Sequence, residues 1–118
     1  MENVYEITLL MDFYGQLLTA RQYEIMDLHY NDDLSLAEIA EQLNISRQGV
    51  FDNIKRGKAA LDEFEAKLGL VKKFIKQKTR AEDLLNKLSS LNRNEISQDN
   101  GKIINDVENG LKDMIDLF

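Results

Sequence analysis

The 118 residues include no proline and no cysteine, are 43% hydrophobic and carry a formal net charge of −6. Without cysteine there are no disulfides and no thiolate metal or redox site; without proline the commonest helix breaker is gone; the apolar fraction suits one modest core and excludes a disordered chain. The charge is segregated: residues 1–46 carry a net −8, residues 47–80 a net +6 and residues 81–118 a net −4. A negative total therefore does not exclude a polyanionic partner, because the net-basic block, ten Lys/Arg against four Asp/Glu, begins at Arg47.

The amino-terminal stretch places Glu2 and Glu6 where a signal peptide carries Lys or Arg. Its apolar run is interrupted by Asp12 and is too short to span a bilayer. The expectation is a soluble, cytoplasmic protein with no membrane partner. Val4, Ile7, Leu10, Met11 and Tyr14 recur at three and four residues, which predicts a first helix that Gly15 ends or bends, with Leu17 and Leu18 continuing its apolar surface. Thr19 to Gln22 fits a capping box and opens a second helix whose apolar positions include Tyr23, Met26, Leu28 and Tyr30. Asn31-Asp32-Asp33 supplies turn chemistry.

Ser35-Leu36-Ala37-Glu38 is a second capping box, followed by Leu36, Ile39, Ala40 and Leu43 on one helical face. Asn44 suits a left-handed turn, Ile45 an apolar plug and Ser46 an N-cap. On the helix that follows, Val50, Ile54, Gly57, Leu61, Phe64 and Leu68 fall within about 40° of one another at 3.6 residues per turn. Gly57 on that inner face implies close approach of a neighbour, since glycine costs about 1 kcal/mol of helix propensity. Short helix, tight turn and longer helix make residues 35–61 a helix-turn-helix.

Gly69 followed by Leu70 resembles a helix C-terminal glycine with its hydrophobic follower. Leu70 to Leu91 predicts a further helix with Leu70, Phe74, Leu84, Leu85, Leu88 and Leu91 as buried positions and a basic first half, Lys72 to Arg80. A polar loop lies within residues 89–100, and a last helix runs from about Gln98 to Phe118. There Ile104, Val107, Leu111, Met114 and Phe118 alternate spacings of three and four, a short heptad seam. The expected architecture is all-α, with a helix-turn-helix domain over residues 1–68 and a carboxy-terminal helical hairpin over residues 69–118.

The segment from Thr19 to Leu61 resembles region 4 of bacterial sigma factors, through Leu36, Glu38-Ile39-Ala40, Leu43, Ile45-Ser46, Val50, Ile54 and Arg56. A closer resemblance rests on Asp12 to Gly15, Leu17 to Thr19, Gln22, Ser35 to Ala40 and Ser46 to Arg56. These residues are similar to those of the bacterial YlxM family, small helix-turn-helix proteins typically encoded beside genes of the signal recognition particle pathway. The match is specific from Asp12 to Leu70; the carboxy-terminal third is similar mainly in being helical. What the resemblance implies is a regulatory role connected with that pathway, through DNA or through components of the particle.

The candidate nucleic-acid-binding residues are Ser46, Arg47, Gln48, Phe51, Asp52, Lys55, Arg56 and Lys58. Arg47 and Gln48 lie in the first turn, where arginine reads guanine and glutamine reads adenine. Lys55, Arg56 and Lys58 neutralise phosphates, and the helix N-terminus at Ser46 takes another. Asp52 either pairs with Arg56 one turn later, accepts from a cytosine amino group, or repels phosphate. The lysines from Lys72 to Arg80 read either as a second grip on nucleic acid or as a solvated face. His29, alone and without cysteine partners, reads as structural. No phosphate loop, nucleophile motif or paired acid–base spacing is present. No catalysis, cofactor, metal or small-molecule substrate is expected. The carboxy-terminal seam has two readings, packing on the chain's own helices or pairing with its copy in a homodimer.

Overall fold

The computed structural model describes residues 3–118, so Glu2 lies outside the described residues. Six α-helices follow in order: α1 (Val4–Tyr14), α2 (Ala20–Tyr30), α3 (Leu36–Leu43), α4 (Arg47–Leu68), α5 (Leu70–Ser89) and α6 (Gln98–Asp116). Short 3-10 turns at Gly15–Leu17 and Arg93–Glu95 punctuate them, and no strand occurs among the described residues. The chain divides into two compact units, one ending at Val71 and one formed by Lys72–Phe118.

Local chemistry explains where the helices of the first unit begin and end. Both anticipated capping boxes form. The Thr19 hydroxyl accepts from the Gln22 N–H while the Gln22 side chain accepts from the Thr19 N–H, each at 3.2 Å. Ser35 and Glu38 do the same at 3.1 and 3.0 Å. Each box satisfies two backbone donors that a helix start would otherwise leave to water. Gly15 closes α1 in the right-handed helical region and leads into the 3-10 turn, so it ends the helix.

The core is built by α2, α3 and α4. Ile25, Ile39, Ala40, Val50 and Ile54 are buried together, with Leu28, Leu34, Leu43 and Ile45 packed around them. The spacing on α4 is largely as expected: Val50, Ile54, Gly57 and Leu61 are buried and Phe64 half-buried, but Leu68 is exposed. Leu68 lies in the last turn before Gly69. At Gly57 an added Cβ would stand 2.2 Å from the Met26 sulfur. Glycine is therefore required by proximity, because Met26 is itself fully buried.

Elsewhere in this unit the structure corrects the sequence reading at helix margins. Val4, Leu17 and Tyr23 are exposed, while Leu9 and Ile25 are buried although neither was on the expected face. The Tyr23 ring approaches Gly15 closely, where a Cβ would meet it at 2.9 Å. His29 is half-buried, and its Nδ1 lies 2.8 Å from the Leu34 carbonyl oxygen, tethering the loop that precedes α3.

The α4–α5 junction carries a polar latch. Gly69 takes a left-handed conformation (φ 62°) and ends α4. The Tyr14 hydroxyl, buried beneath it, donates to Glu65 Oε1 at 2.6 Å and accepts from the Leu70 N–H at 3.0 Å. Glu65 Oε1 also accepts from the Val71 N–H at 3.0 Å. Two side chains from distant parts of the sequence thus cap α5 together.

The second unit is a helical hairpin. Phe74 and Phe118 meet edge to face at 5.5 Å, and Arg93 binds both Asn105, at 2.8 Å, and Glu108. The polar loop falls where anticipated, with Ser97 capping α6. Of the buried positions expected on α5, Phe74, Leu85 and Leu88 are half-buried; Leu70, Leu84 and Leu91 are exposed. No helix among the described residues is long and apolar enough to cross a membrane.

Candidate nucleic-acid interface

The turn between α3 and α4 is held by Asn44 in the left-handed region (φ 56°, ψ 47°). Its N–H and that of Ile45 bond back to Glu41 and Ala40 carbonyls at 3.3 and 3.0 Å. Asparagine visits this conformation more readily than other non-glycine residues, and Ile45 then packs against the core. Ser46 follows with extended backbone, and its hydroxyl accepts from the Gly49 N–H at 2.9 Å. The start of α4 is thereby set, and with it the direction in which its first turn projects.

Of the eight predicted site residues, Ser46, Arg47, Gln48, Phe51, Lys55 and Arg56 are exposed on this part of α4. Phe51 is 49% exposed, a large apolar side chain left in water beside two basic turns. Asp52 is half-buried and accepts from the Gln48 side-chain amide at 3.0 Å. Its partner is therefore the residue one turn before it, and not Arg56 one turn after. The i,i+4 spacing to both residues was equal, so this choice was not readable from sequence. Lys58 is half-buried, with its ammonium 5.7 Å from the centre of the Tyr30 ring, which draws it toward α2.

Arg47, Lys55 and Arg56 form no ion pair among the described residues. Some cations elsewhere do: Arg21 pairs with Glu24, Lys67 with Glu63, Arg80 and Lys87 with Asp83, and Arg93 with Glu108, whereas Lys73, Lys76, Lys78, Lys102 and Lys112 do not. α4 thus presents exposed cations whose charge is not cancelled locally, and Arg47 among them lies in the first turn, at the positive end of the helix dipole. Glu38, on the preceding helix, has its carboxyl held below the usual 4.5 by the Ser35 backbone N–H and hydroxyl. No group of three His, Asp or Glu among the described residues is placed to hold a metal ion.

A capped short helix, a left-handed Asn turn, a capped longer helix and a shared apolar core define a helix-turn-helix protein. The comparison with known families agrees: the family described as "Putative helix-turn-helix protein, YlxM / p13 like" matches residues 1–107. An Acetivibrio thermocellus UPF0122 protein is 55% identical over 116 residues, 98% of this chain and 99% of the relative. The UPF0122 protein YlxM of Bacillus subtilis is 47% identical over 91 residues, covering 77% of this chain and 79% of its own length. The chain belongs to this UPF0122, YlxM/p13-like family. The matched span runs well beyond Leu70, past the limit that the Asp12–Leu70 motifs suggested.

Proposed function

We propose that this protein is a DNA-binding regulatory protein that sets the first turns of α4 in the major groove. The observation that carries the reading is that Arg47, Lys55 and Arg56, on the second helix of the motif, are exposed and locally unpaired. Arg47 in the first turn is suited to the O6 and N7 acceptors of guanine. Lys55 and Arg56, a little over two turns later, are suited to phosphates, as is the helix N-terminus at Ser46. Phe51 offers an apolar surface for a thymine methyl group. The Gln48–Asp52 pair leaves acceptor oxygens on both side chains, which favours a cytosine amino group over the two-bond adenine contact open to an unpaired glutamine.

Titration of a pool of mixed-sequence duplexes at low salt tests this. Binding is expected, weakening steeply as salt rises, and Arg47→Ala with Lys55→Ala is expected to abolish it. Loss of one phosphate contact lowers the salt slope by about 1. Absence of duplex binding at low salt refutes the proposal.

A second reading is favoured by a different observation. α1 and the turn after it expose Val4, Tyr5, Phe13 and Leu17 within the acidic amino-terminal segment, a surface suited to protein and not to phosphate. On that reading the chain is an adaptor for components of the signal recognition particle pathway, the connection that the family resemblance implies. Retention of those components, with no retention of duplex, decides for the adaptor.

A further inference from the structure

The two helices of the carboxy-terminal unit carry more apolar surface than they hide in each other. On α6, Ile104, Leu111 and Ile115 are half-buried, as is Phe118 just beyond it. Beside them runs a second stripe, Ile103, Val107, Gly110, Met114 and Leu117, at spacings of four, three, four and three. Its apolar side chains are 62, 46, 52 and 87% exposed in chain order. The heptad seam anticipated from sequence is therefore two seams, one turned inward and one bare. On α5, Leu84 and Leu91 are exposed as well. Between the helices lies an apolar groove: a cavity of about 620 Å³ bounded by Ala81, Leu84, Leu111, Met114 and Phe118 meets one of about 430 Å³ bounded by Leu84, Leu88, Leu91, Val107 and Leu111.

Among the described residues of Lys72–Phe118, Ala81 alone is buried. Such a hairpin has no core of its own, and an amphipathic helix pair needs a further layer against it. The charges say which layer. Lys73, Arg80 and Lys87 follow one another at seven-residue intervals on the α5 edge of the groove; Asp83 lies among them, pairs with Arg80 and Lys87, and leaves that edge net basic. Asp99, Asp106 and Asp113 follow at the same interval on the far edge of the bare α6 stripe, all exposed. One edge of the hairpin is the electrostatic complement of the other.

We propose that Lys72–Phe118 is a dimerisation module whose occupant is the same hairpin of a second copy, packed groove to groove. Two twofold arrangements stack these faces. An axis across the helices sets α5 on α5 and like charges together. An axis along the helices keeps each residue at its own height and sets α5 of each chain on α6 of the other; since Phe74 lies level with Phe118 and Leu88 with Val107, Arg80 and Lys87 then stand opposite Asp113 and Asp106 of the second copy. The second arrangement is selected, by the logic through which flanking charges choose partners in coiled coils. Ile103, Val107, Met114 and Leu117 then line a four-helix bundle. The assembly carries two helix-turn-helix motifs, yet the inference does not rest on DNA binding.

Light scattering after size exclusion, and sedimentation equilibrium, test it on the full chain without nucleic acid. Wild type is expected at twice the 13.6 kDa chain mass at concentrations up to about 100 µM. Val107→Glu with Met114→Glu is expected to give a monomer of undiminished helicity. Arg80→Glu with Lys87→Glu, and separately Asp106→Lys with Asp113→Lys, are each expected to weaken self-association roughly tenfold or more. The two charge variants mixed together are expected to form a heterodimer, because each supplies the edge that the other needs. A monomeric wild type refutes the proposal, whether the stripe is then covered by this chain or by another protein. So does a dimer indifferent to Val107→Glu with Met114→Glu, or a mixture that associates no better than its components.

Discussion

Tyr14→Phe is the sharpest test of the latch at the α4–α5 junction. The hydroxyl donates to an acidic side chain at 2.6 Å and accepts from a backbone N–H at 3.0 Å, so one oxygen atom closes two bonds. A hydrogen bond to a charged group contributes about 1.5–3 kcal/mol, and a buried donor left without a partner costs about 1–3 kcal/mol. Leu70 lies partly at the surface, so water replaces some of the second bond. The expected loss is about 2 kcal/mol, below the sum of the two ranges, and the ring still packs on Phe64 at 6.0 Å. Amide hydrogen exchange at Leu70 and Val71 is the local readout, with acceleration of about thirtyfold expected for a loss of that size. Glu65→Ala, made with and without the Tyr14 hydroxyl, measures the coupling. A Tyr14→Phe protein within about 0.5 kcal/mol of wild type with unchanged exchange at both amides, or strictly additive effects in the cycle, refutes the latch. The hydroxyl pKa is raised, by burial first and then by its bond to Glu65. The folded state thus prefers the protonated phenol: the contribution is complete below pH 10.0 and is lost as pH rises through the folded value.

Two further outcomes follow from side chains in the first unit. Gly57→Ala, which on an exposed helix gains about 1 kcal/mol, is expected to destabilise by about 1–2 kcal/mol because the new methyl group meets the buried Met26 sulfur; urea melts of this variant alone and with Met26→Ala show whether removing the obstruction restores it. Glu38→Gln is expected to keep the capping box at neutral pH, since glutamine fills the same role at Gln22. Wild type should lose the Glu38 contribution as pH falls from 4.5 through the lowered folded value, whereas the glutamine variant should not, a difference read from thermal melts across acid pH.

The parts of the fold that were legible in the sequence are those written in local code. Thr19 with Gln22 and Ser35 with Glu38 bond three residues apart, and Asn44 acts on its own backbone, so pattern and geometry coincide. Gly57 was legible for a different reason, as a residue poor for helices kept on a helical inner face. The latch was not legible, because Tyr14 and Glu65 are 51 residues apart and only tertiary packing brings them together. Periodicity also failed on α6. Apolar residues there occupy two adjacent faces, and spacings of three and four fit a line drawn through either; Val107 and Met114 belong to the bare stripe, Ile104, Leu111 and Phe118 to the covered one. At the candidate interface, the residue types and the exposed face of α4 were readable. The choice of Gln48 as Asp52's partner depends on rotamers that sequence does not encode.

The seating of Met26 against Gly57 gives the first unit an internal chemical clock. A thioether with no accessible surface is shielded from peroxide while its neighbours stay packed, whereas the sulfur of Met114 belongs to a side chain 52% exposed. Oxidation at Met26 therefore advances only through openings that part α2 from α4, and Met114 serves as the reference that registers how much oxidant was present. The ratio of sulfoxide at the two positions, read from peptide masses, records how often the motif comes apart. A DNA- or protein-bound motif that opens less often keeps Met26 reduced for longer.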